Sequence, residues 1–221
     1  MSATTTASAG EARTSRIVRH ALADRLFHWI NAASVLTLLG TAFLPIMGYQ
    51  FPWVTAHWIA GIVMIAAIAF HVARSLLAQN LRSMLIGPRD LADLTAITKW
   101  NLRVSGDAPP KPGKYSLAQK LIHLLFALVL IAAAVTGALM LVRIDTPWWE
   151  RDPYWLSETT WGVVYVIHGL AALLLVTMVI AHVYFALRPD KLLFTRSMIR
   201  GWITREEYET HHDTNRWQVK E

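Results

Sequence analysis

The chain has no cysteine in its 221 residues. That excludes iron–sulfur ligation, covalent haem attachment through a C-x-x-C-H sequence, and disulfide bonding from within it. A redox centre held here must be gripped by other side chains. Charge is nearly as scarce. Only 16 % of residues are charged, and three long blocks hold no charge at all: between Arg25 and Arg74, between Lys120 and Arg143, and between Glu158 and Arg188. A soluble domain intersperses its charges, whereas this chain keeps them out of whole segments. The same blocks lack carboxylates, so a metal-ion or proton transport path would find no hard ligands inside them.

What fills the blocks is apolar: 54 % of the chain is hydrophobic. A membrane span needs ~20 apolar residues, and the first block is long enough for two, broken near Pro45, Gly48 and Pro52. The expected fold is all-α, a four-helix transmembrane bundle with helices at roughly Leu26 to Met47, Trp53 to Leu77, Leu117 to Val142 and Thr159 to Leu187. Trp29, Trp53, Trp58, Trp148, Trp149, Trp155 and Trp161 sit near span ends, where an amphipathic ring is comfortable at headgroup level.

Nineteen of the twenty-one Lys and Arg residues lie on the N-terminal, Arg74 to Lys120 and C-terminal sides, and only Arg143 and Arg151 on the other. The positive-inside bias therefore predicts a multi-pass protein with cytoplasmic N and C termini. The net charge of +6 is accounted for by topology and lipid contact, with no nucleic acid required. Residues 1–23, rich in Ser, Thr and Ala without an apolar core, read as a flexible cytoplasmic tail rather than a secretory signal. Residues 24–188 form the membrane domain, and 189–221 a cytoplasmic end with one amphipathic helix over Leu192 to Trp202. A loop with Pro and Gly, Ser105 to Gly113, precedes the third span.

Histidine carries the chemistry. His57 and His71 lie in one charge-free stretch and His168 and His182 in another, fourteen residues apart each time. Fourteen residues of α-helix rise ~21 Å and return to within ~40° of the starting direction, so each pair points one way at two depths. With nine histidines in the chain, a given one has about a four per cent chance of another fourteen onward, so two such pairs on two spans are poorly explained by accident. An imidazole in hydrocarbon needs partners for both nitrogens. Coordination to iron uses one, and a hydrogen bond uses the other and sets the tautomer.

By depth, His57 and His168 belong to the outer half of the membrane. His182 in the inner half has three candidate counterparts, His28, His71 and His123. Small residues near these positions, among them Ala56, Ala60, Gly61, Gly169, Ala171, Ala172 and Ala181, with Gly137 and Gly40 on the other helices, would let a flat macrocycle approach the backbone. They also serve ordinary helix packing in lipid. His20, His211 and His212 fall in segments expected to be solvated.

With these residues in view, the chain resembles the gamma subunit of respiratory formate dehydrogenase, the membrane cytochrome b that links that enzyme to quinone, within the wider diheme cytochrome b family of dehydrogenases and hydrogenases. The resemblance runs from about Asp24 to Trp217. It is carried by Asp24-Arg25 with His28-Trp29, His57 with Gly61, Gly113-Lys114-Tyr115 with Gln119-Lys120, Ile167-His168, and His182 with Tyr184. The tail adds Ser197-Met198-Ile199, Gly201, Arg205, His211-His212 and Arg216-Trp217.

The resemblance implies two haem b groups, one held by His57 and His168 and one by His28 and His182, with His71 and His123 given no role. It implies a quinone site around Tyr115, Ser116 and Gln119, although Ser116 stands where a family member has Asn and Ala118 where it has Gly. It further implies an iron–sulfur partner subunit and a molybdenum or tungsten catalytic subunit outside, near His57 and the 143–158 loop. Formate chemistry itself would be absent from this chain. The alternatives are a cytochrome b serving a hydrogenase or thiosulfate reductase, the hydrogenase cytochromes sharing the histidine plan, and a freestanding quinone-reducing cytochrome of the b561 type.

Overall fold

In the computed structural model, described over residues 15–78 and 83–219, the four expected spans are continuous helices. They are α1 (Leu22–Phe43), α2 (Trp53–Ala78), α4 (Leu117–Met140) and α5 (Glu158–Leu187). The shortest has 22 residues and, at ~1.5 Å per residue, reaches ~33 Å, enough to cross a ~30 Å hydrocarbon layer. All four satisfy the length and hydropathy of a membrane span. The chain is a multi-pass helical membrane protein. Their outward faces agree: Leu124, Leu128, Ile131 and Val135 on α4, and Val166, Leu170, Leu173 and Ile180 on α5, are exposed at helical spacing. In water such stripes would be costly; in lipid they are the solvent contact.

Chain contacts divide the protein into two units. The first holds residues 23–77 and 125–188, the hydrocarbon-spanning helices. Its α1 begins four residues earlier than expected, at Leu22, and takes in Asp24 and Arg25; it also ends four residues before the expected Met47, at Phe43, where the chain enters the turn around Pro45. Asp24 can enter because Arg74 at the far end of α2 meets its carboxylate at 3.1 Å. The α1–α2 turn uses Gly48 at φ 94°, where a side chain would be strained, closed by Gly48 N–H donating to Pro45 O. At the other end of this unit Trp161 is fully buried and donates from its indole to Pro153 O at 3.1 Å, while the Arg143 guanidinium lies over the Trp161 ring at 5.2 Å. Ser157 caps α5 by accepting from Thr160 N–H.

The second unit comprises the described part of residues 1–22 with residues 83–124 and 189–219. Two three-residue strands, β1 (Arg16–Val18) and β2 (Trp202–Thr204), pair antiparallel with Ile17 opposite Ile203. Residues 1–14 of the expected flexible tail lie outside the described residues; residues 16–18 are in this strand pair. The amphipathic helix at the C-terminal end is α6 (Leu192–Arg200). It stops two residues short of the expected Trp202 because Gly201, at φ 90°, forms a left-handed cap with its N–H on Ser197 O. A final helix, α7 (Arg205–His211), carries a capping box between Thr204 and Glu207. Glu207 also receives Arg196 at 2.5 Å. Ile17, Ile203 and Tyr208 form the core of this unit, with Leu193, Trp217 and Val219 packed on it. The Tyr208 hydroxyl donates to Trp217 O.

Between the second and third spans lies α3 (Pro88–Asn101). Lys120, at the start of α4, donates to both oxygens of Asp90 at 2.9 Å and to Leu85 O. Arg216 reaches Asp93 at 2.6 Å. Burial alone would raise the Asp90 carboxyl, but the Gly87 N–H and Lys120 outweigh it and hold it below its usual range.

His212 departs from the solvated position expected of it: only 2 % of it is exposed. Its Nδ1–H donates to Gly113 O at 2.7 Å, so Nε2 is left to accept from Arg19 at 2.6 Å. The Arg19 guanidinium, itself 2 % exposed, also donates to Lys114 O. Burial brings Arg19 down to about 10, still cationic at neutral pH. Burial likewise depresses His212 to about 4. The bond to Gly113 opposes that shift, and the charges of Arg19 and His211 add to it.

An unfolded histidine titrates near 6.5. Between that pH and about 4 the unfolded segment therefore binds more protons than the folded one, and stability falls as pH drops through this window, by about 3 kcal/mol at its acid end. Above pH 6.5 the ring contributes no pH dependence. Amide exchange at Gly201 and Ile203, corrected for the intrinsic rate, is expected to accelerate from pH 7 to pH 5. A His212→Gln variant should lack that trend, and equal protection of the native chain at both pH values would contradict the account.

Candidate haem centres

Two histidine pairs converge within the membrane unit. The ring centres of His57 on α2 and His168 on α5 are 6.3 Å apart with planes at 66°. Those of His28 on α1 and His182 on α5 are 6.3 Å apart at 47°. Two opposed imidazoles binding one metal through Nε2, at ~2.0 Å per bond, have ring centres about 6.3 Å apart. Both pairs stand at that spacing. No three or more His, Cys, Asp or Glu side chains converge among the described residues. Each centre thus offers two protein donors, which suits an iron that brings four nitrogens of its own.

The surroundings differ between the pairs. His57 Nδ1 is 2.8 Å from the Thr41 hydroxyl and His168 Nδ1 is 2.9 Å from the Thr136 hydroxyl. Both threonines are buried, at 5 % and 6 % exposure. Gly137 lies against the His168 ring: a Cβ there would come within 3.2 Å of its Cε1. In the other pair, His28 Nδ1 is buried with no hydrogen-bond partner among the described residues, and one helical turn on, Asn31 Oδ1 is in the same condition. Phe126 on α4 meets the His182 ring edge-on at 5.7 Å. Buried polar atoms left unmet on one helix face are unusual for protein packing alone.

The remaining sequence candidates fall elsewhere. His71 lies flat on Phe27, ring centres 4.0 Å apart at 8°. His123 is exposed on α4. Of the small residues, Ala60 and Ala171 are buried in helix packing, whereas Gly169 has open space around it and Gly61 nearly so.

At the start of α4, Ser116 N–H donates to Gln119 Oε1 at 3.0 Å and Gln119 N–H to Ser116 Oγ at 3.3 Å, a reciprocal capping box. Tyr115 sits beneath the Lys114 ammonium at 5.3 Å and the Arg19 guanidinium at 5.8 Å. Ser116 and Gln119 thus have a structural task whatever else they touch.

Sequence reasoning passed over Thr41 and Thr136. The only trace of them in the sequence is a hydroxyl inside an apolar span, which bonds its own helix backbone often enough to carry no message.

Comparison with known proteins agrees with this picture. The chain is 25 % identical over 218 residues to the formate dehydrogenase cytochrome b556(fdo) subunit of Escherichia coli K12, covering 93 % of each chain. The corresponding subunits of Escherichia coli O6:H1 and O157:H7 match equally. A model of the prokaryotic cytochrome b561 family matches residues 19–201, which takes in all four spans and the histidine pairs, and the chain therefore belongs to that family.

Proposed function

We propose that the chain is the membrane cytochrome b subunit of a formate dehydrogenase in the bacterial inner membrane, with cytoplasmic termini, carrying electrons from an iron–sulfur partner to quinone. Membership in a cytochrome b family implies haem b. The proposal sets the number at two, one between His57 and His168 and one between His28 and His182. The observation that carries it is the equal 6.3 Å spacing of the two ring pairs, with one member of each on α5 fourteen residues apart. Haem held by these histidines would supply a one-electron Fe(III)/Fe(II) couple.

The chain's own residues do the rest. The four histidines hold and orient the groups. The 25 % identical relatives support the dehydrogenase assignment. So does the acidic loop of residues 143–158, on the side poor in Lys and Arg, as the docking side for the iron–sulfur and the molybdenum or tungsten catalytic subunits. Quinone would be reduced at the cytoplasmic end by way of Tyr115, Ser116 and Gln119. The Ser116 hydroxyl accepts from Gln119 N–H and still has its own proton to donate to a quinone carbonyl. Formate is oxidised on the partner, since no cysteine here can supply a cluster.

The family match also favours a second reading, a freestanding b561-type cytochrome reducing quinone from a small donor. Haem extraction and a visible spectrum of the purified chain test the common core: two haems per chain with a low-spin bis-imidazole spectrum are expected, and a colourless, correctly folded chain would refute it. Co-purification separates the two readings. The subunit reading expects formate to reduce the haem only with the dehydrogenase subunits attached, and full quinone reductase activity of the isolated chain would favour the freestanding cytochrome.

A further inference from the structure

We propose that Thr41 and Thr136 are positioning residues that fix the tautomer and ring orientation of His57 and His168 and set the redox potential of the haem between them. The inference rests on the haem reading above and goes beyond it by assigning two residues outside the ligand set.

The bonding pattern leaves each hydroxyl one role. Thr41 Oγ1 donates its proton to its own helix, to Thr37 O at 2.8 Å and Leu38 O at 3.0 Å. Thr136 Oγ1 does the same, to Ala132 O at 2.6 Å and Ala133 O at 3.2 Å. A hydroxyl has one proton. With that proton committed to the backbone, the oxygen meets the facing ring nitrogen only as acceptor. Nδ1 of His57 and of His168 therefore carries the hydrogen, at 2.8 and 2.9 Å from its threonine. Nε2 is left with the lone pair that a metal requires.

The construction occurs twice, once between α1 and α2 and once between α4 and α5, each time with the threonine on one helix and the histidine on its neighbour. Both threonines are buried, so water does not compete for the bond. A hydrogen bond accepted from Nδ1–H raises the basicity of a metal-bound imidazole and so favours Fe(III). The pair at His28 and His182 is built differently, since His28 Nδ1 has no such acceptor among the described residues. The haem at His57 and His168 should thus be the lower-potential one, and electrons entering there would run downhill to the other.

The test uses the full chain with its partner subunits and compares Thr41→Val, Thr136→Val and the corresponding serine variants. Haem per chain, the low-spin electron paramagnetic resonance signals and a redox titration are read for each. Valine keeps the shape and removes the oxygen. The expected result is two haems per chain in every variant, with the potential of one haem raised and its resonance signal shifted in both valine variants, the other haem unchanged, and serine restoring native values. Loss of that haem in valine but not in serine would also support the proposal. Native potentials and signals in both valine variants, or equal loss in valine and serine, would overturn it while leaving the haem assignment standing. A wild-type chain without haem would instead defeat the underlying reading.

Discussion

His168→Ala is expected to bring the haem content from two per chain to one and to abolish quinone reduction by formate. Without the imidazole, the iron would keep His57 as its sole protein ligand. A group that two imidazoles would hold loses its anchor when one of them goes. The other pair should survive: His182 is fourteen residues further along α5, ~21 Å away along the axis, and its partner His28 stands on a different helix. His57→Ala should behave identically, because the two rings share one centre. The remaining haem gives the readout, half the native reduced-minus-oxidised absorbance with an unchanged band shape. His123→Ala is the control. Its ring is exposed on α4, and the variant should retain both haems. If all three variants lost both, the cause would be failure to assemble rather than loss of a ligand.

The membrane part of the fold was legible because hydrocarbon imposes a constraint that sequence displays directly, a run of residues without charge. The spans after Trp53 lie where the charge-free blocks put them, within one or two residues at their ends. The first span, α1, was the exception, displaced by four residues at each end. Asp24 and Arg25 read as a boundary, and only the partner at Arg74, fifty residues on, shows why the helix runs through them. The convergence of His57 with His168 and of His28 with His182 was approachable too, since a histidine in an apolar span is costly and stands out.

What stayed hidden depends on pairings between distant segments. Ile17 and Ile203 meet in strands of three residues each, too short to leave a period-two pattern. His212 looked like a tail residue because nothing local indicates that Arg19 and Gly113 enclose it. Thr41 and Thr136 are in the same position: each is an ordinary intrahelical hydroxyl until the neighbouring helix brings a ring nitrogen to it.

His28→Ala should cost the second haem, whereas His71→Ala should keep both. Sequence spacing leaves the two open, and His71 has the more symmetrical claim, since it repeats on α2 the interval that separates His168 from His182 on α5. Geometry favours His28. His28 faces His182 with ring centres 6.3 Å apart, the separation a shared metal requires. His71 lies face to face with Phe27, and turning it toward His182 would break that stacking. Two haems in the first variant and one in the second, counted by pyridine extraction against protein mass, would reverse the assignment.

The outcome also bears on which helices carry the centres. With His28 the four ligands come from α1, α2 and α5, so α1 serves both centres, one through a ligand and the other through Thr41 beside His57. With His71 the ligands would come from α2 and α5 alone, and α1 would be only packing. A variant that shifts α1 along its axis, such as insertion of one alanine between His28 and Thr41, turns that segment by ~100°. On the assignment made here it should disturb both haems, the first by moving a ligand and the second by withdrawing a hydrogen-bond acceptor.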